Sequence, residues 1–225
     1  MYHGIRSKER VRELGEVFTP LHIVNEMLRM VEEAAVNDGK PLAYDARFFE
    51  PACGPRGFII EVLRRKLRLV ESLPETKVGL ATEDLKPYEY KSLAALGSIY
   101  GGDIDPLNIS DCRFNLKELL LENYYDVSGG LEAPRRYVSA LDYILGKNIF
   151  LADLLDDAQL EDIDIIEFVE AENFRFERRF YKFTDLYTGR KDPQLSLFKD
   201  EEYSGDKPRR IIKAAAYKDL YKDAV

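Results

Sequence analysis

Three acidic residues stand where short apolar runs break off: Glu50 after Phe48-Phe49, Asp103 after Ser98–Gly102, and Asp153 after Asn148–Ala152. A carboxylate at the end of a sheet strand accepts hydrogen bonds from hydroxyl and amine donors. At the second strand of a nucleotide-type sheet it commonly takes the hydroxyls of a ribose. One at the third strand suits the exocyclic amine of a purine. Glu50 is followed by the small-residue loop Ala52–Gly57, which opens onto a helix start and offers bare amides to an anionic group. A single ligand made of adenosine and a charged tail would use all three. Taken one at a time, each acid is equally explained as a cap or turn residue. The order of the three is what argues for a common ligand.

The elements that must hold these groups follow from periodicity. Phe48–Glu71 (FFEPACGPRGFIIEVLRRKLRLVE) reads as a strand, a tight loop and an amphipathic helix whose apolar positions are Phe58, Ile59, Val62, Leu63, Leu67 and Val70. Before it, Leu21 to Ala35 has helical spacing, with Thr19 expected as its N-cap and Pro20 at its first position. Tyr88–Leu96 is predicted helical and stopped by Gly97. Ser98–Ile104 is predicted as a buried strand, and Pro106 to about Asn123 as a long helix with Ile109, Cys112, Leu116, Leu119 and Leu120 inward. Arg135–Leu145 is a short helix, Asn148–Leu151 a third strand and Ile163–Val169 a fourth. Strands alternating with helices at this spacing predict an α/β fold with a mostly parallel sheet flanked by helices, and ligands at the carboxyl ends of its strands.

Length and composition narrow the class. A chain of 225 residues buries one good core. No apolar run is long enough to span a membrane, and the N-terminus is too charged for a secretory signal, so a cytoplasmic protein with no membrane partner is expected. Two cysteines, Cys53 and Cys112, and two histidines, His3 and His22, make neither a disulfide framework nor a zinc-type cluster. The net charge of −8 argues against nonspecific nucleic-acid binding by the whole surface, though not by one basic face.

The ends differ from the middle. Residues 1–16 are a charged arm or helix, read as a solvated element or a nucleic-acid contact. Phe174–Tyr187 alternates aromatic and basic residues, which predicts a strand or hairpin. Its aromatics either form a core face or stack on bases while arginines meet phosphates. Thr188–Lys207 is polar and expected to be mobile, and Lys207–Lys222 is expected as a basic helix. The predicted organisation is a cofactor domain over residues 1–173 and an extension over 174–225 that packs on it.

GEVFTP (Gly15–Pro20), EPACG (Glu50–Gly54), YGGDIDP (Tyr100–Pro106) and FLADLL (Phe150–Leu155) occur in the order found in S-adenosylmethionine-dependent adenine-specific DNA methyltransferases, the amino-methylating group of restriction–modification systems. The chain resembles that family from Gly15 to Val169. The resemblance implies a Rossmann-like methyltransferase fold with S-adenosylmethionine as cofactor. Thr19 and Pro20 match the segment at its methionine end. Glu50, Ala52 and Gly54 match the loop under its amino and carboxylate groups. Asp103 matches the ribose acid, with Ile104 beside the adenine. Asp153 matches the acid that takes the adenine amine, and Leu154 lies against the ring.

Two departures bear on activity. Arg56 stands at the family's second loop glycine. A positive φ there would strain a side-chain-bearing residue by about 1–2 kcal/mol; alternatively Arg56 pairs with the cofactor's carboxylate. The family's Asn/Asp-Pro-Pro-Tyr/Phe segment after the fourth strand, which holds and stacks on the flipped adenine, is missing. Glu170 and Phe174 are the substitutes at the matching place, Glu170 to polarise the amine and Phe174 to stack. These 225 residues also leave no room for the family's large target-recognition domain, so none is expected within them. The expected function is a DNA adenine methyltransferase, or a methyltransferase-like subunit of a restriction–modification or phage system, that meets DNA directly or through a partner. The alternative is a catalytically inactive binding or regulatory module. Gln194, Leu195, Leu197 and Phe198, in QLSLF, resemble the pentapeptide that docks bacterial proteins on the replication sliding clamp; local packing of the same residues is the other reading.

Overall fold

The structure is a computed structural model describing residues 19–76, 84–156, 163–183 and 208–223. The charged N-terminal arm, Thr188–Lys207 and the QLSLF segment lie outside the described residues. Helix α1 (Leu21–Asn37) leads to strand β1 (Phe48–Glu50), helix α2 (Phe58–Ser72) and a 3-10 turn at Pro74–Thr76. Helix α3 (Lys86–Gly97), strand β2 (Ile99–Asp103), helix α4 (Pro106–Val127), helix α5 (Arg135–Asn148) and strand β3 (Ile149–Leu151) follow. Strands β4 (Asp164–Ala171), β5 (Arg175–Lys182) and β6 (Arg210–Ala216) and a closing 3-10 helix (Tyr217–Asp223) complete it. No helix among the described residues is long and apolar enough to cross a membrane.

β1, β2 and β3 form a parallel sheet in that order, with Glu50 opposite Gly101 and Asp103 opposite Leu151. Their side chains alternate between two cores, as a pleated strand requires. Phe48, Ile99 and Ile149 face the larger core, made with Ile59, Leu63 and Leu67 of α2, Leu93 and Leu96 of α3, and residues of α4 and α5. Phe49, Tyr100 and Phe150 face a smaller one, closed by Ala152, Ile165 and Phe183. The α/β architecture, with a parallel sheet flanked by helices, is as the periodicity predicts.

The fourth strand departs from expectation. β4 does not extend the parallel sheet; it pairs antiparallel with β5, and β5 with β6, in a second three-stranded sheet. Its direction follows from its contacts along β1. Tyr44 and Arg47, leading into β1, meet Glu170 and Glu167 at 2.5 and 3.7 Å. Phe49, inside β1, stacks near Phe183 with ring centroids 5.4 Å apart, and the Phe183 amide donates to the Ile163 carbonyl at the start of β4. As the chain advances along β1 its β4 neighbours step backward, so the two strands run in opposite directions. The hairpin turn that joins β4 to β5 contains Asn173 and Phe174, both with left-handed φ, 60° and 56°. The expected boundary at 173/174 therefore falls inside a hairpin.

Two further expectations are corrected. Pro20, not Thr19, is the N-cap of α1, without a side-chain cap; its carbonyl accepts from the Ile23 and Val24 amides at 2.9 and 3.1 Å. The stretch expected as a basic C-terminal helix is β6 followed by the 3-10 helix. Its alanines and lysine suit a helix, but pairing with β5 satisfies the backbone of both strands and overrides that preference.

Candidate functional site

The loop between β1 and α2 is shaped by glycines and by hydrogen-bond partners on two other elements, a donor on α4 and acceptors on β2. Gly54 and Gly57 take the left-handed values, φ 54° and 95°, and Gly57 caps α2, its carbonyl accepting from Glu61 N–H at 3.1 Å. Arg56 has no positive φ and its side chain is exposed, so the strain considered for that position does not arise. Asn115 of α4 donates to the Pro55 carbonyl at 2.8 Å, and Cys53 N–H donates to the Gly102 carbonyl at 2.9 Å.

Gly101 and Gly102 are needed for close approach rather than for a special φ. A Cβ on Gly101 would stand 2.8 Å from Ile59 Cδ1 and 3.0 Å from Cys53 Cβ. One on Gly102 would stand 2.9 Å from Leu154 Cδ1 and 3.1 Å from a Phe150 ring carbon. The middle strand is thus pared to backbone where the two neighbouring loops cross it.

Asp103, buried at the end of β2, is the hub. Its Oδ2 accepts from Gly54 N–H at 2.9 Å. Its Oδ1 accepts from Asp105 N–H at 2.8 Å and from Asn108 Nδ2 at 3.3 Å. Asp105 in turn caps α4, accepting from Leu107 N–H at 2.9 Å. The strand-end acids and the glycine loop are brought together, because Asp103 binds the loop that follows Glu50 and its carbonyl accepts from Ala152 N–H at 3.0 Å, just before Asp153.

Glu50 closes β1, half-buried. Burial raises its carboxyl above the usual range, and the Ala52 amide acts in the opposite sense. A carboxylate held in this condition gains from a nearby cation. Asp153 Oδ1 accepts from Leu155 N–H at 2.9 Å. Around these acids Ile104, Leu107 and Leu151 are exposed, and Leu155 is 96% exposed. Leu154 is half-buried against Gly102. Polar acceptors rimmed by aliphatic side chains suit a ligand with a flat apolar ring and several donors.

Thr19 and Pro20 stand at the start of α1, which docks against α2. Val24 and Leu28 pack it into the core, and Arg65 of α2 reaches Glu32 at 2.6 Å and the Asn25 side chain at 2.9 Å. Glu170 and Phe174 are not brought to the site. Because β4 runs opposite to β1, they lie toward the amino end of the parallel sheet. Glu170 accepts from Tyr44 and from Lys91 (2.7 Å), and Phe174 packs edge-on to Tyr90 at 5.6 Å. Their position was assigned from distance along the chain after the fourth strand, and that count carries no strand direction.

Two residues were missed by sequence reasoning, Asn108 and Asn115. Both sit on α4, Asn108 against Asp103 and Asn115 against the loop, and the signal available was their place in the first and third turns of the helix that follows the second acid.

A group of adenosine with a charged tail is tested by what the residues offer. Glu50 presents a carboxylate in need of a cation, Asp103 retains acceptor capacity, and the glycine loop leaves Gly54 half-buried. The residues fit such a ligand. Compared with family models, curated proteins and solved structures, the chain matches none of them.

Proposed function

We propose that the chain is the S-adenosylmethionine-binding domain of a DNA adenine methyltransferase, acting with a partner that supplies DNA recognition and the segment that holds the target base. The observation that carries this reading is the link from the glycine loop to Asp103, Gly54 N–H to Oδ2 at 2.9 Å, with the Asp103 carbonyl bonded to the loop that bears Asp153. Glu50 would hold the ammonium of the methionine end, the loop amides its carboxylate, and Asp103 the ribose. Asp153, Ile104 and Leu154 would receive the adenine. The bound cofactor supplies the methyl group; the chain's own part is to bind and orient it.

Calorimetry with S-adenosylmethionine tests the reading. Binding is expected with a Kd between about 1 µM and 1 mM. No binding at millimolar cofactor would remove it. Methyl transfer to adenine-containing DNA, with and without a partner, is the second stage.

One observation favours a second reading, a noncatalytic module on the same fold: Glu170, the nearest substitute for the family's base-holding group, is occupied by Tyr44 and Lys91. A chain that binds cofactor but transfers no methyl group with any partner would be that module. For Gln194–Phe198 the proposed partner is the sliding clamp, and a pull-down unchanged by Gln194→Ala with Phe198→Ala would remove it.

A further inference from the structure

The acceptor capacity of Asp103 is unequal between its two oxygens. A carboxylate has about four lone-pair positions. Oδ1 already receives Asp105 N–H and Asn108 Nδ2, and Oδ2 receives Gly54 N–H. One position remains, on Oδ2. Asn108 is what closes Oδ1, and it does so at a cost to the fold. Its side chain is 6% exposed, and its own Oδ1 is buried with no hydrogen-bond partner among the described residues. Turning the amide over would set that oxygen against the Asp103 carboxylate, so the orientation is fixed by the acid. An apolar residue in the same place would avoid the unpaired oxygen but would leave Oδ1 of Asp103 without its second donor, so the amide is tied to the acid.

We propose that Asn108 is a positioning residue that makes Asp103 a single-hydroxyl acceptor. With Oδ1 saturated and Oδ2 half used, the carboxylate takes one hydroxyl of a ribose rather than gripping both. This inference rests on the adenosine reading above and adds to it a specificity, that one ribose hydroxyl matters and its neighbour does not. Asn108 acts through Asp103 and touches no reacting atom.

The experiment is calorimetry on the full chain with S-adenosylhomocysteine and with its 2′-deoxy and 3′-deoxy forms, for the wild type and Asn108→Ala. In the wild type, removal of one hydroxyl is expected to weaken binding about tenfold or more, and removal of the other by less than about threefold. In Asn108→Ala, Oδ1 regains an acceptor position. Binding of the parent ligand should fall about tenfold as the carboxylate loses its orientation, and the preference between the two deoxy forms should narrow to about threefold or less. The thermal midpoint of Asn108→Ala should be unchanged or higher, which separates positioning from a structural role.

Equal losses for the two deoxy forms in the wild type would overturn the inference while leaving the adenosine reading in place. So would an Asn108→Ala variant with undiminished discrimination. No wild-type binding of any of the three ligands would remove both.

Discussion

Gly54 N–H donates to Asp103 Oδ2 at 2.9 Å, across 49 positions of sequence. The bond joins the loop that ends β1 to the acid that ends β2, so the shape of the first depends on the charge of the second. A ligand hydroxyl that meets Asp103 also meets a carboxylate whose rotamer the loop has set. On the proposed reading, binding and loop order would therefore be coupled.

Asp103→Ala should lose both. The Gly54 amide would be left without its acceptor, and stability should drop by about 1–3 kcal/mol. S-adenosylmethionine binding should become undetectable by calorimetry. Urea unfolding of the same preparation measures the first effect. An unchanged midpoint would show that the loop keeps its shape without the acid.

Substitutions in the loop should differ sharply between neighbours. Gly57 has φ 95° and ψ −123°, which a side chain resists. Gly57→Ala should cost about 1–3 kcal/mol, whereas Arg56→Ala should stay within about 0.5 kcal/mol. If the two variants unfold at the same urea concentration, the glycine argument is wrong.

Lys66 gives the fold a pH dependence. Its ammonium is buried and donates to the carbonyls of Tyr44 (2.9 Å) and Ala46 and to Ser98 Oγ at 2.7 Å. Burial brings its pKa down to about 7. The unfolded chain, with an ordinary lysine, binds the extra proton between pH 7 and about 10, so stability should rise with pH across that window. Below pH 7 both states carry the proton and this dependence levels off. Against Lys66→Met, the wild type should gain about 2 kcal/mol between pH 7 and 9. Parallel stability curves for the two proteins would contradict this.

Glu50 carries the opposite sign. Its carboxyl is raised by burial, so its contribution is fullest in acid and is lost as pH rises through the folded value. Glu50→Gln should melt a few degrees higher than the wild type at pH 7, the two converging toward pH 4, while cofactor binding weakens strongly. Glu170→Gln is the control. It removes an acceptor from Tyr44 and Lys91 at the far end of the sheet, should cost about 1 kcal/mol, and should leave cofactor affinity within twofold, roughly.

Much of this arrangement is legible in the residues themselves. The apolar run into Glu50, the glycines before Asp103 and the spacing of Ile109, Cys112 and Leu116 specify strands and a helix locally, because each element's period is written in its own side chains. The direction of β4 is not written that way. The apolar residues of Asp164–Ala171 fit a strand running either way, and the return of β5 along β4 depends on Asn173 and Phe174 adopting left-handed φ in a tight turn. Asparagine announces such a turn, but phenylalanine does not. The same limit hid β6, where Ala214–Ala216 favours a helix until β5 offers a partner. At the site, the acids were visible and Asn108 was not, since an amide in the first turns of a helix has no pattern of its own.

Gly101 and Gly102 sit side by side yet look to opposite faces, the first toward Ile59 and Cys53, the second toward Leu154 and Phe150. Two bare residues thus separate Ile59 and Cys53 on one side of β2 from Leu154 and Phe150 on the other. A methyl group added to the first would lift the floor beneath the tail of a ligand, and one added to the second would tilt the wall beside its ring. On the proposed adenosine reading, Gly101→Ala and Gly102→Ala form a matched pair of levers, each expected to retune one end of the ligand without a change to any group that would touch it.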